Sequence, residues 1–135
     1  MVRTISVQTR GQGLLEITGQ VEALVHESGV QEGLCTLLAQ HTSASLTIQE
    51  NADPSARRDL EAFLNRLVPE HDPHYTHTLE GADDMPSHIK SALTSVTLSI
   101  PVQNGRLALG TWQGIYLWEH RKHPHRRSVV VHVGE

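Results

Sequence analysis

The sequence predicts an α+β fold, a mixed or antiparallel β-sandwich decorated by two or three helices. Three observations carry that prediction. The last third of the chain is a succession of short apolar runs broken by turn residues, with Asn104-Gly105 between two of them, a strong hairpin signal. Asp53-Pro54 followed by Ala56, Leu60, Phe63, Leu64 and Leu67 has the start and the single apolar stripe of a helix. No Gly-rich turn of the dinucleotide-binding kind joins a strand to a helix, which argues against a doubly wound parallel sheet.

In chain order, residues 2–9 alternate as a strand, Gly11 and Gly13 punctuate a turn, and residues 14–17 pair back. Thr18 is then the expected N-cap of a short helix over 19–28 that Gly29 ends. Residues 33–40 and 45–50 have strand composition; Leu46 and Ile48 alternate with Ser45, Thr47 and Gln49 as in a half-buried strand. His41 falls at their junction. The helix that begins at Pro54 stops before Pro69. Residues 70–84 are polar, and a loop of that length in a small domain points to a site. Another helix follows, with Pro86 in its first turn. Strands are expected over 96–102, 106–111, 115–121 and 127–133.

A chain of 135 residues suits one domain, here 1–135. Residues that are 38% hydrophobic and 19% charged, with no long apolar run and no signal-peptide core, fit a cytoplasmic globular protein without a membrane partner. Eleven Lys/Arg against fifteen Asp/Glu argue against a nucleic-acid partner, which requires a basic field. Cys35 is the single cysteine, which excludes an intrachain disulfide and a multi-cysteine zinc finger. It also lacks an electropositive neighbourhood, and no Ser-His-Asp arrangement is defensible, so nucleophilic catalysis has the least support.

The ten histidines are the unusual feature, because imidazole is both the near-neutral acid/base group and the commonest metal ligand. His41 stands beside Thr42 and Ser43 at a strand end. His77 and His88 flank Glu80-Gly81-Ala82-Asp83-Asp84, so a loop and a helix start can bring two imidazoles and a carboxylate to one point. Such a donor set suits zinc or another divalent ion. The spacing matches no compact zinc signature, and there is no His-Glu-x-x-His. Alternatively, the helix start near 85–88 receives a phosphate on its free N–H groups, or Asp83 or Asp84 simply caps it.

Asn51 can orient a ligand, whereas Asp53 reads as a helix cap. Along 115–121 the period of two puts Ile115, Leu117, Glu119 and Arg121 on one face and Tyr116, Trp118 and His120 on the other. Arg121 can bind phosphate bidentately, with Lys122, Arg126 and Arg127 raising the local potential.

Taken together, His41-Thr42-Ser43-Ala44, Glu50-Asn51 and Asp53, His77, Glu80-Gly81, Asp83-Asp84-Met85-Pro86, His88-Ile89-Lys90 and Leu109-Gly110-Thr111-Trp112-Gln113-Gly114-Ile115 resemble the YjbQ-like family over nearly the whole chain. The resemblance implies a YjbQ-like α+β sandwich, a homotrimer, and a secondary thiamine-phosphate synthase: a transferase joining a pyrimidine-methyl diphosphate to a thiazole phosphate with release of pyrophosphate. It selects His41, His77 and His88 from the ten histidines, as catalytic residues and as ligands of a divalent metal, zinc or magnesium. Glu119 joins them as a catalytic candidate. Asn51, Trp112, Gln113 and Arg121 are the candidates for binding a small phosphorylated metabolite. His120 is left out, because relatives often carry an aromatic residue there. Two other readings remain open: a trimeric metal- or phosphometabolite-binding protein without dedicated catalysis, and a metal-dependent phosphoester hydrolase.

Overall fold

A computed structural model describes residues 1–135 as two antiparallel sheets and three helices. In chain order these are β1 (Val2–Gln8), β2 (Gly13–Glu16), α1 (Thr18–Ser28), β3 (Glu32–Ala39), β4 (Ala44–Glu50), α2 (Pro54–Leu67), α3 (Asp84–Leu93), β5 (Thr97–Gln103), β6 (Arg106–Leu107), β7 (Gln113–Glu119) and β8 (Arg126–Gly134). The larger sheet has the order β1-β8-β3-β5-β6 and the smaller β2-β7-β4. Every strand pair is antiparallel, so the sandwich is antiparallel and not mixed.

Alternation along each strand builds the core between the sheets. Ile5, Val7, Cys35, Leu37, Ile100, Val129 and Val131 of the larger sheet face Ala44, Leu46, Ile115 and Leu117 of the smaller, and α1 adds Val21 and Val25. Burial raises the Cys35 thiol to about 11, so it is an inert core residue. The other face of the smaller sheet carries Leu14, Tyr116 and Trp118 and packs under Leu64 and Val68, with Leu60 and Ile89 at its margin. Thus α2 covers the outer face of the smaller sheet, and the start of α3 is tied to the chain just past β7, where Ser87 Oγ donates to the His120 carbonyl at 2.9 Å.

Several local expectations hold. Asp53 caps α2, its Oδ1 accepting from Ser55 N–H at 2.9 Å, with Pro54 in the first turn. Gly29 ends α1 in the left-handed region at φ 70°. Asn104 and Gly105 both have positive φ, 54° and 75°, as a type I′ hairpin requires.

Others are corrected. Thr18 is the first residue of α1 and not its cap; its hydroxyl donates to Glu16 and accepts from Ile115 N–H. Strand β6 is two residues long, not the six of 106–111, because after Ala108 N–H bonds Pro101 O the chain leaves the sheet edge. On α2 the buried ridge runs Leu60, Leu64, Val68, spaced four apart, so Phe63 and Leu67 point to solvent.

Candidate metal centre

Helix α3 begins at Asp84, and the i, i+4 spacing puts His88 on the same face one turn later. The polar loop between α2 and α3 folds back to place His77 against them. His77 Nε2 lies 2.6 Å from Asp84 Oδ2, and His88 Nε2 lies 3.2 Å from the same oxygen. The two rings meet edge to face with centroids 5.3 Å apart. The three potential ligand atoms all lie within 4.8 Å of one another. An ion with bonds of about 2.0–2.1 Å spaces tetrahedral donors roughly 3.3 Å apart, so little movement is needed to admit one.

The other carboxylate oxygen, Asp84 Oδ1, accepts from Arg121 Nη1 at 2.6 Å. Arg121 also donates from Nε to Asp83 Oδ2 at 3.1 Å and from Nη2 to the Glu80 carbonyl at 2.8 Å, and Lys122 N–H adds a 2.8 Å bond to Asp83 Oδ2. Burial by itself would raise the Asp84 carboxyl, but the hydrogen bond from His77 and the Arg121 charge outweigh it and hold the group below the usual aspartate value. Asp83 is held low in the same way, burial being outweighed by Lys122 N–H and Arg121. The sharp turn before the clamp needs Gly81, which sits at φ 106° where a Cβ would come 3.1 Å from Asp83 Oδ1.

Two imidazoles and one carboxylate form a donor set suited to zinc or a similar transition ion, and poorly suited to magnesium, which prefers oxygen ligands. A bare phosphate fits less well. The first turn of α3 presents the carboxylates of Asp83 and Asp84, which would face any bare anion there. Neither aspartate makes a side-chain cap bond, so capping does not account for them.

The other expected site residues go elsewhere. His41 is not brought to His77 and His88 within the chain: its Nε2 accepts from Ser128 N–H at 2.8 Å and its Nδ1 lies 3.3 Å from Arg127 Nη1. Burial and the Arg127 charge lower its pKa, in keeping with the lone pair that Nε2 offers to Ser128 N–H. Glu119 shares a face with Ile115 and Leu117, as the alternation predicts, and is buried there. It ion-pairs with Arg127 and accepts from Thr9 Oγ1 at 2.7 Å, a structural commitment that leaves it no substrate to address. Arg121 lies past the end of β7, and its three nitrogens are already engaged. It holds carboxylates instead of presenting a free fork to phosphate.

Asn51, Trp112 and Gln113 cluster at the opposite end of β7, whose seven residues span roughly 20 Å at ~3.3 Å each. Asn51 N–H donates to the Trp112 carbonyl, Gln113 Oε1 accepts from Gly110 N–H, and Trp112 is 64% exposed. Asn51 and Gln113 border a separate cleft of about 510 Å³ with Glu22, His26 and Arg106.

The sequence leaves open which carboxylate of the 80–84 segment joins the imidazoles; the Asp84/His88 i, i+4 pair at a helix start is the signal it offers. It also gives no reason to single out His120, which is 1% exposed, with Nε2 2.8 Å from Ser45 Oγ and Nδ1 without a partner.

The model of the family described as UPF0047 protein YjbQ-like matches residues 3–135. A UPF0047 protein of Synechocystis is 55% identical over 127 residues, covering 94% of this chain and 86% of its own. The YjbQ protein of Escherichia coli is 46% identical over 129 residues, covering 95% and 93%. Among solved structures, an uncharacterized conserved protein of Clostridium acetobutylicum superposes with a TM-score of 0.90 at 38% identity, covering 98% and 99%. A conserved hypothetical protein of Thermus thermophilus gives 0.87 at 39%, with the same coverage.

Proposed function

This chain belongs to the YjbQ-like UPF0047 family, and we propose that it is a divalent-metal-dependent enzyme acting on a small phosphorylated metabolite, in the manner of a thiamine-phosphate synthase. The observation that carries the reading is the convergence of His77 and His88 on a single oxygen of Asp84, open to solvent on one side. When bound there, a transition ion would supply charge neutralisation for a departing diphosphate.

The chain's own residues set the conditions for that chemistry. His77, Asp84 and His88 would hold the ion, and their partly exposed rings leave the cluster open to solvent. The loop beside them contributes His71, Tyr75 and Thr78 to a cavity of about 240 Å³ that His77 also lines, a wall against which a small substrate can be oriented. His41 and Glu119 take no part in this scheme. Asn51 and Gln113 border their own cleft, apart from this cluster.

The partially exposed cluster equally favours one other reaction, hydrolysis of a phosphoester, because water reaches the open side. The homotrimer belongs to the same proposal. It is supported by the outer face of the larger sheet, where Val2, Leu34 and Leu38 are exposed and no helix covers them. No helix is long and apolar enough to cross a membrane; a cytoplasmic setting is proposed with the rest.

The deciding experiment is turnover of zinc-loaded protein with the pyrimidine-methyl diphosphate and the thiazole phosphate. The proposal predicts that thiamine phosphate and pyrophosphate appear in equal amounts and that both vanish in His77→Ala and His88→Ala. Phosphate release without coupling assigns the hydrolytic reaction instead, and a zinc-loaded, folded protein inert in both assays contradicts enzymatic function.

A further inference from the structure

Arg121 stands where a phosphate-binding arginine is expected, yet its fork is spent inside the protein. Nη1 holds Asp84 Oδ1, Nε holds Asp83 Oδ2, and Nη2 holds the Glu80 carbonyl of the segment that leads from His77 into α3. The guanidinium therefore ties the loop carrying one imidazole to the helix carrying the other. Its own anchor is firm: Arg121 N–H donates to Glu119 Oε2 at 3.2 Å, and Glu119 is locked by buried Arg127.

We propose that Arg121 is a positioning residue of the metal centre, fixing Asp84 as a one-oxygen ligand whose Oδ2 is aimed between His77 and His88. This inference rests on the metal-site reading above. A carboxylate left to itself rotates about its terminal torsion and can offer both oxygens to an ion, which suits the larger, oxygen-rich shells. With Oδ1 bonded to Nη1, only Oδ2 is available, and the centre is confined to two nitrogens and one oxygen. That donor count favours a zinc-like ion and keeps its remaining positions for water or substrate.

The sign of the effect separates positioning from plain electrostatics. Arg121 is a cation beside a cation site, so charge repulsion alone predicts that removing it tightens metal binding. Positioning predicts the reverse. The test uses zinc alone as the probe, with chelator competition on the full chain and X-ray absorption of the loaded protein. Arg121→Ala is expected to weaken zinc about 10–100-fold, the usual range for an outer-shell partner of a ligand, and to add a second, longer carboxylate oxygen to the zinc shell. Arg121→Lys keeps the charge but not the fork, so it weakens zinc as well; it also serves if the alanine variant does not fold, as judged by melting of the zinc-free proteins. Lys122→Ala, which removes a side-chain charge paired with Glu70 and keeps the backbone N–H that bonds Asp83, is expected to leave affinity within about twofold.

Unchanged or tighter zinc binding in folded Arg121 variants, with wild-type coordination, overturns the positioning role and leaves the metal site standing. Failure of the wild-type protein to bind zinc overturns both.

Discussion

Arg121 Nη1 donates to Asp84 Oδ1 at 2.6 Å, while the other oxygen of that carboxylate is shared by two imidazoles. Each oxygen thus has one task, and the division is imposed by alternating charges that begin inside the sandwich: Arg127 holds Glu119, Glu119 holds the backbone of Arg121, and Arg121 holds Asp84. The cluster of His77, Asp84 and His88 sits at the solvent end of this series.

His41 lies outside that arrangement, so His41→Ala should leave the zinc content per chain unchanged. It should lower thermal stability instead, because Ser128 N–H loses its acceptor at Nε2. Metal analysis and melting of the variant check both halves; a halved zinc content would return His41 to the site.

The Glu119–Arg127 pair is buried on both sides. Removing one partner, as in Arg127→Met, leaves an uncompensated charge in the core and should cost about 3–5 kcal/mol in denaturant unfolding. Replacing both, as in Glu119→Gln with Arg127→Met, should cost less than the sum of the two single changes.

Buried His120 is pushed down to about 3 by burial, aided by the Lys90 and Arg127 charges. The unfolded chain takes up that proton near pH 6.5 and the folded one does not until about pH 3. Between those values the unfolded state binds more protons, so stability should fall as pH falls, by up to about 1.4 kcal/mol per pH unit from this group. Its contribution is fully favourable above pH 6.5. Urea unfolding across pH 4–7 should show a shallower slope in His120→Gln; an identical slope would assign the pH dependence to other groups.

On α2 the ridge Leu60, Leu64, Val68 faces the smaller sheet. Leu64→Ala should therefore cost about 2–5 kcal/mol, whereas Phe63→Ser and Leu67→Gln should each stay within about 0.5 kcal/mol. Equal losses at Phe63 and Leu64 would place the contact face where the sequence stripe puts it.

These cases mark how far the sequence can be read. Local chemistry announces itself: the Asp53-Pro54 start, the Asn104-Gly105 turn and the alternation that sets Glu119 on one face with Ile115 and Leu117 are all legible, because each depends on neighbours in the chain. The α2 stripe reads too wide because a helix shows its apolar residues in sequence but not which of them the sheet will meet. The strand expected over 106–111 stops at Leu107, since its end depends on where β5 offers partners. At the site, His77 and His88 are legible as histidines flanking an acidic run. The i, i+4 pair of Asp84 and His88 is legible as well, but the fold of the loop that brings His77 to the same oxygen is not. The turning of Arg121 from substrate to scaffold and the diversion of His41 to Ser128 come from contacts between residues far apart in the chain. No spacing encodes those two.

Calorimetric titration of the metal-free protein with zinc, comparing wild type with the His77→Ala/His88→Ala double variant, tests the central claim most directly. The metal-centre account predicts one zinc ion per chain in the wild type and a loss of affinity on the order of 100-fold or more in a double variant that still folds, exceeding the outer-shell range. Zinc binding of the same stoichiometry and affinity in both proteins, or no binding by the wild type, would contradict it.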